Sequence, residues 1–205
     1  TAAEREVREI NSGVYVFELA PLFAALARLG SSNAQGEYYL PDLVAIHRAD
    51  GRVVDAVKLD DADEIRGINT RAELADVGRV LRARINGAHM AAGVTLVDPA
   101  TAYIGPDVTI GQDTVLHPFV VIDGRSAVGA DCELHAGTRI SNAAIGNSVT
   151  VFNHTVVAES TIADGAQIGP FARIRPDSVI GERAHVGNFV EIKKSVLGVD
   201  SKANH

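Results

Sequence analysis

The sequence has no tryptophan, a single cysteine and only 5% aromatic residues. The lone thiol of Cys132 excludes an internal disulfide framework and is typical of a reducing compartment, so we expect a cytoplasmic protein. No apolar run approaches the roughly 20 residues that a membrane-spanning helix needs, and the first ten residues lack a signal-peptide pattern. Basic residues are also in the minority, 19 against 26 acidic ones. This balance argues against a surface that neutralises nucleic-acid phosphates, so we expect neither nucleic acid nor membrane as a partner.

What the sequence does contain is typical of a folded enzyme. Its 205 residues are 46% hydrophobic and 22% charged, which suffices for one large or two small domains. The chain opens on Thr1 rather than methionine, and we expect it to be a segment of a longer protein. The pattern changes near residue 93, so the two parts are interpreted separately.

Residues 1–71 alternate short apolar runs with helical patterns. The predicted elements are strands at 13–17 and 53–59 and helices at 21–30 and 41–51. Strand–helix–strand order indicates an α/β layer, and about 70 residues can form only part of a doubly wound sheet. A capping box at Thr70 and Glu73 then opens a single helix, predicted as a linker over residues 72–92 and ending near Gly93.

From Ile104 onward, within the part of the chain that begins near residue 93, the apolar pattern has a period of six, broken by three steps of five. The repeating aliphatic positions are Ile104, Ile110, Leu116, Ile122, Val128, Leu134, Ile140, Ile145, Val151, Val157, Ile162, Ile168, Ile174, Ile180, Val186, Ile192 and Leu197. The residue two places before each one is small, and glycine often follows it, where we expect a corner that needs positive φ or no Cβ. This pattern predicts a parallel β-helix in which residue i stacks on residue i+18. The fold class is therefore α/β followed by all-β.

Stacking predicts two pairs of side chains on adjacent coils. Arg175 and Lys193 each follow an aliphatic repeat residue and are 18 residues apart, so they form either an anion-binding pair or two solvated charges. His205 lies twelve residues beyond Lys193 and is a candidate general base. His117 and His135 obey the same rule. We favour a solvated histidine stack over a zinc site, because no third ligand falls in register on the next coil.

Six stretches together resemble one known family. They are residues 8–13 (REINSG), 33–40 (NAQGEYYL), 67–71 (GINTR), 168–176 (IGPFARIRP), 186–194 (VGNFVEIKK) and 201–205 (SKANH). They are similar to the bacterial bifunctional UDP-N-acetylglucosamine pyrophosphorylase/glucosamine-1-phosphate N-acetyltransferase, in its order and with matching gaps.

The resemblance implies two reactions. A left-handed β-helix domain, here residues 93–205, acetylates glucosamine 1-phosphate with acetyl-CoA. A nucleotidyltransferase domain, of which residues 1–71 would be the C-terminal part, joins N-acetylglucosamine 1-phosphate to UTP with Mg²⁺. The family forms homotrimers with acetyl-transfer sites between subunits.

The resemblance also implies roles for single residues. Asn11 matches a sugar-nucleotide contact, and Asn69 a residue that touches both the nucleotide and Mg²⁺. Arg175 and Lys193 match substrate-binding cations, and His205 matches the general base. The Gly-rich nucleotide loop and the acetyl-CoA site would lie outside the chain, so we expect the isolated segment to catalyse neither reaction.

Two other classes of function stay open on the sequence. One is a different hexapeptide-repeat enzyme, metal-dependent and carbonic anhydrase-like, that uses His117 and His135. The other is a non-catalytic β-helix assembly module, which would show no affinity for ligands at the corner that carries Arg175 and Lys193.

Overall fold

The computed structural model describes residue 6 and residues 9–32 and 35–204. The motif residues Arg8, Asn33 and Ala34 lie outside these ranges. The chain divides into two compact units, Thr1–Ile68 and Asn69–His205. In the described ranges, no helix combines the length and apolar character needed to cross a membrane.

The first unit contains two short α-helices, α1 (Leu19–Leu26) and α2 (Asp42–Ala49), and a 3₁₀ turn at Ala62–Ile65. The prediction for α2 is confirmed, since Pro41 occupies its N-cap position and Gly51, beyond its end, has a φ of +71°. Helix α1 begins two residues before the predicted start and ends earlier than predicted. Its end tightens because the N–H groups of Arg28 and Leu29 donate to carbonyls only three residues back.

An ion pair joins the segments that follow these two helices. The Arg28 guanidinium donates to both carboxylate oxygens of Asp50, at 2.8 and 2.7 Å. This hydrogen-bonded contact lowers the pKa of the Asp50 carboxyl below its ordinary value. The pair is exposed to solvent, so its contribution to stability is small.

Both strands predicted for the first unit are wrong. The structure shows no strand at 13–17 or 53–59, and Val16 and Val53 are each 96% exposed. Near the first run, the Asn11 side chain accepts from the N–H of Gly13 at 3.0 Å, a local bond that competes with strand pairing. A lone extended run has no neighbour to take its N–H and C=O groups, so its apolar residues gain nothing by adopting a strand.

Helix α3 (Arg71–Ala91) opens the second unit, and its capping box is confirmed. The Glu73 N–H donates to Thr70 Oγ1 at 3.1 Å, while the Thr70 N–H donates to Glu73 Oε2 at 2.8 Å. The predicted apolar face is only partly buried. Ile85 packs against the β-helix core, whereas Leu74 and Leu81 stay exposed.

A buried amide ties α3 to the first coil. Asn86 is 1% exposed, and its Nδ2 donates to the carbonyls of Pro99 at 2.8 Å and Ala102 at 3.0 Å. We expect Asn86→Ala to lower the free energy of unfolding by about 1–3 kcal/mol, because the buried Ala102 carbonyl and the partly buried Pro99 carbonyl both lose their donor. Urea titration measures this effect. Arg79→Ala is the control on the same helix, and it should cost under about 0.5 kcal/mol because its ion pair with Asp76 is exposed; equal losses would contradict the assignment.

Strands of two or three residues follow through residue 203. They are β1 (Thr95–Leu96), β2 (Tyr103–Ile104), β3 (Thr109–Ile110), β4 (Val115–Leu116), β5 (Val121–Asp123), β6 (Ala127–Val128), β7 (Glu133–Leu134), β8 (Arg139–Ser141), β9 (Ala144–Ile145), β10 (Thr150–Val151), β11 (Val156–Ala158), β12 (Thr161–Ile162), β13 (Gln167–Ile168), β14 (Arg173–Ile174), β15 (Val179–Ile180), β16 (His185–Val186), β17 (Glu191–Ile192), β18 (Val196–Leu197) and β19 (Lys202–Ala203).

These strands form three parallel sheets, and every third strand belongs to the same sheet. The orders are β1-β4-β7-β10-β13-β16-β19, β2-β5-β8-β11-β14-β17 and β3-β6-β9-β12-β15-β18. This is the parallel β-helix that the six-residue period predicts. Partners are 18 residues apart where every step is six, as in Ile104↔Ile122, and 17 apart where a five-residue step intervenes, as in Ile140↔Val157.

The repeat positions fill the interior, and they are buried or packed against buried neighbours. The β-helix aromatics lie on the outside, with Phe119, Phe171 and Phe189 exposed. Burial also raises the pKa of the Cys132 thiol above its usual value. This residue lies two places before Leu134, at one of the small positions of the repeat, and it is buried in the core.

The glycine corners differ from the expectation in one respect. Positive φ falls mainly on the third residue after the aliphatic position, as at Asp113 and Asp131, rather than on the glycine that follows it. The glycines at these corners are required mostly by close approach. A Cβ on Gly111 would lie 2.5 Å from the backbone nitrogen of Ala130 on the next coil.

Candidate functional site

The two predicted substrate-binding cations lie on adjacent coils of the second sheet. Arg175 follows β14 and Lys193 follows β17, and the register Ile174↔Ile192 places them at equivalent positions. The Arg175 N–H donates to the Ile192 carbonyl at 2.9 Å. The backbone ladder therefore holds the two residues one coil apart, as the 18-residue spacing predicts.

A carboxylate accompanies this cation pair. Arg175 Nη1 lies 3.2 Å from Glu191 Oε1, so one of the two positive charges already has a counter-ion. Lys193 is exposed, and within residues 9–32 and 35–204 no carboxylate pairs with it. Neighbouring Lys194 approaches Asp177 at 3.9 Å instead. Neither alternative from the sequence, an anion-binding pair or two solvated charges, included a protein carboxylate, and Glu191 offsets part of the charge on Arg175.

This corner carries one residue with a guanidinium group and one with an ammonium group, at equivalent positions on adjacent coils. The guanidinium can donate two parallel hydrogen bonds to a phosphate, and the ammonium adds a compact point charge. The carbonyl of Arg175 is held by Ser160 Oγ at 2.7 Å, which fixes the backbone under the guanidinium. The arrangement fits a small phosphorylated molecule better than a flat polyanion, because the basic groups are few and local.

The sequence analysis predicts three further site residues, His205, Asn11 and Asn69. His205 lies outside the described residues, and Asn204 is the last one that the structure describes. Asn11 belongs to the first unit, where its amide Nδ2 contacts the Tyr15 hydroxyl. Asn69 begins the second unit, and its backbone N–H donates to Glu73 Oε2 at 2.7 Å while its side chain is exposed.

The histidine pair is a second cluster, on the first sheet. His117 follows β4 and His135 follows β7, and their rings stack with centroids 4.8 Å apart and planes 4° apart. Glu133 joins them, with Oε1 at 2.9 Å from His117 Nε2 and 3.6 Å from His135 Nε2. The stacking is as predicted, and the next coil offers Phe152 rather than a ligand in register. A third ligand type is nevertheless present, because Glu133 lies beside both rings, and the sequence analysis did not weigh it. The carboxylate comes from β7, the strand that directly precedes His135, rather than from the next coil.

A third polar cluster lies further along the first sheet. His185 and Lys202 are paired in register, and they line a shallow pocket with Gln167 and Arg183. Arg183 donates to both oxygens of Asp200, at 2.8 and 2.9 Å, and this pairing lowers the pKa of the Asp200 carboxyl. The Arg183 guanidinium is thus already paired with a carboxylate. The sequence analysis did not predict this cluster.

One spacing connects the carboxylates that the sequence analysis missed. The pairs His117–Glu133, Asp123–Arg139 and Arg175–Glu191 are each 16 residues apart. In each pair, one residue directly follows an interior residue, and its partner directly precedes the interior residue that stacks on it in the next coil. For example, His117 follows Leu116 and Glu133 precedes Leu134. A search along this diagonal, in addition to the vertical column, would have found all three.

The chain is similar to known proteins over nearly all of its length. The family model described as GMPPB C-terminal domain matches residues 102–203. The curated "Bifunctional protein GlmU" of Geobacillus thermodenitrificans is 48% identical over 202 residues, and that of Shouchella clausii is 46% identical; each alignment covers 98% of this chain and 44% of the relative. The Mycobacterium bovis protein of the same name is 44% identical over 205 residues, which is all of this chain and 41% of that protein. The chain therefore spans less than half the length of these relatives.

Proposed function

Since the chain belongs to the family of the bifunctional GlmU proteins, we propose that this protein is a transferase of UDP-N-acetylglucosamine synthesis. Its two reactions are acetylation of glucosamine 1-phosphate by acetyl-CoA and uridylyl transfer from UTP to N-acetylglucosamine 1-phosphate. The observation that carries the proposal is the register Ile174↔Ile192, which stacks Arg175 over Lys193 in a chain similar to that family from end to end.

In the acetyl-transfer half, Arg175 and Lys193 bind the phosphate of glucosamine 1-phosphate. Glu191 orients the guanidinium without neutralising Lys193. The sugar amine forms the new bond to the thioester carbonyl carbon, and the bond from that carbon to sulfur breaks as coenzyme A leaves. His205 accepts the proton that the amine loses.

In the uridylyl-transfer half, residues 1–71 form the C-terminal part of a nucleotidyltransferase domain. Asn11 contacts the sugar nucleotide. Asn69 offers an exposed amide oxygen, which is a ligand type that Mg²⁺ accepts beside water and substrate phosphates. Bound Mg²⁺ would neutralise charge on those phosphates. The capping box holds the backbone beside Asn69 and so limits the directions in which its amide can point.

The remaining features of the proposal follow from the family. We place the protein in the cytoplasm, with a left-handed β-helix, residues 72–92 as a linker and residues 93–205 as part of the acetyltransferase domain. The assembly is a homotrimer. The two reactions are assigned to the whole protein, and we expect the 205-residue segment by itself to bind glucosamine 1-phosphate but to turn over neither reaction.

Calorimetric titration with glucosamine 1-phosphate tests the phosphate site. We expect Lys193→Ala to weaken binding by roughly 10-fold to 100-fold, since a charge-assisted hydrogen bond contributes about 1.5–3 kcal/mol. Lys194→Ala is the matched control, because this neighbouring lysine contacts Asp177 instead. The proposal fails if wild type does not bind the sugar phosphate, or if both alanine variants lose the same affinity.

A further inference from the structure

The histidine stack carries an inference that is independent of the proposed transferase chemistry. His117, Glu133 and His135 bring their three ligand atoms within 4.8 Å of one another. All three side chains are partly exposed, so an ion in solution can reach them. We propose that these residues form a binding site for one divalent transition-metal ion of the zinc class, on the outer face of the β-helix.

The spacing of the ligand atoms supports the proposal. Zinc binds histidine nitrogen and carboxylate oxygen at about 2.0–2.2 Å in tetrahedral geometry, which places ligand atoms roughly 3.3–3.5 Å apart. Glu133 Oε1 lies 2.9 Å from His117 Nε2 and 3.6 Å from His135 Nε2. The two distances bracket the ideal value, so the carboxylate needs to move by only a few tenths of an ångström.

The histidine rings must tilt before both of them coordinate one ion. Their planes are almost parallel, 4° apart, with ring centroids 4.8 Å apart. A nitrogen lone pair lies in the plane of its ring, so one ion cannot lie in both ring planes in this arrangement. Convergence needs a rotation about the last side-chain bond of each histidine, which is a soft torsion. The ring of His135 also lies 5.3 Å from that of Phe152, which limits its rotation on that side.

The backbone under the three residues is fixed. Strands β4 and β7 pair in register, with Val115 opposite Glu133. The His117 N–H donates to Leu134 at 2.9 Å, and the His135 N–H donates to Val151 at 2.8 Å. Because these hydrogen bonds hold the backbone of the site in place before the ion binds, only side-chain torsions become ordered on binding.

The ligand set selects the ion. Two imidazoles and one carboxylate suit zinc, cobalt, nickel or copper, whereas magnesium prefers an all-oxygen shell. Three protein ligands leave a fourth position for water. The site is thus chemically distinct from the Mg²⁺ site proposed at Asn69, and Mg²⁺ should not displace zinc.

The experiment uses the chain without a polyhistidine tag. Cobalt is titrated as the visible-absorption probe, zinc competition gives the affinity, and elemental analysis after dialysis gives the stoichiometry. We expect one zinc per chain, and a loss of roughly 100-fold or more in affinity for His117→Ala and His135→Ala, because each removes one of three protein ligands. Glu133→Gln should weaken zinc binding by at least roughly 10-fold while it preserves side-chain size.

His154→Ala is the matched control. This exposed histidine lies at a corner of the same β-helix and stacks on Phe171 at 5.2 Å, outside the proposed ligand set. It should bind zinc as wild type does, and circular dichroism should show every variant folded. Absence of stoichiometric zinc in wild type, equal loss in His154→Ala, or undiminished affinity in His117→Ala would each overturn the site. None of these results bears on glucosamine 1-phosphate binding at Lys193.

Discussion

Replacing Gly129 with valine is expected to lower the free energy of unfolding by roughly 3 kcal/mol or more, at the upper end of what overpacking costs. Gly129 follows the interior residue Val128 at a corner of the third sheet. A Cβ at this position would lie 2.5 Å from the carbonyl oxygen of Gly146 on the next coil. That oxygen belongs to the backbone and cannot swing aside as a side-chain tip can. Relief therefore requires two coils to separate, which weakens the hydrogen bond from the Gly129 N–H to Ile145 at 2.9 Å.

Gly105 provides the matched control because it occupies the equivalent position at another corner. It follows the interior residue Ile104, but a Cβ there would meet its nearest neighbours at 3.5 Å, an ordinary contact. Gly105→Ala should be neutral or stabilising by up to about 1 kcal/mol, since it restricts the unfolded chain. Gly129→Ala should fall between wild type and the valine variant, at about 1–3 kcal/mol of destabilisation. Urea unfolding followed by circular dichroism separates these outcomes. If Gly129→Ala matches Gly105→Ala, close approach is not the reason for the glycine.

The β-helix could be predicted from sequence because its geometry repeats. Each interior position, such as Ile122 or Ile140, must be aliphatic, and the five-residue step after Ile140 shows where the coil shortens to 17 residues. The vertical stacking of Arg175 on Lys193 follows from the same count. The capping box of α3 was equally accessible, because its two hydrogen bonds join residues three positions apart.

The sequence analysis missed the contacts of two carboxylates because it compared only residues that stack directly on one another. Glu133 and Glu191 reach their partners along a diagonal between coils, so a search in vertical register overlooks them. The strands predicted at 13–17 and 53–59 failed for a different reason. A strand depends on the neighbour that accepts its hydrogen bonds, and the pattern inside the run does not specify that neighbour.

The second large effect is expected at Ile174, which lies beneath the basic corner. Its side chain is fully buried, and its Cα is in register with Val157 on one side and Ile192 on the other. Ile174→Ala should lower the free energy of unfolding by about 2–5 kcal/mol, because it removes buried methyl groups and leaves a cavity between coils. Ile174→Val removes one methylene and should cost about 0.5–1.5 kcal/mol. Val179→Ala is the control, since this β15 residue points outward and is 42% exposed.

This substitution also tests whether the core positions the phosphate site. Ile174 is the last residue of β14 and directly precedes Arg175, so a cavity under it weakens the hydrogen bond that holds the Arg175 backbone against Ile192. We expect Ile174→Ala to weaken binding of glucosamine 1-phosphate under conditions where the protein is still folded, whereas Val179→Ala leaves the affinity unchanged. Calorimetry well below the unfolding midpoint measures this difference. A destabilised Ile174→Ala variant that binds as tightly as wild type would show that the two cations reach their ligand without help from the register of the coils.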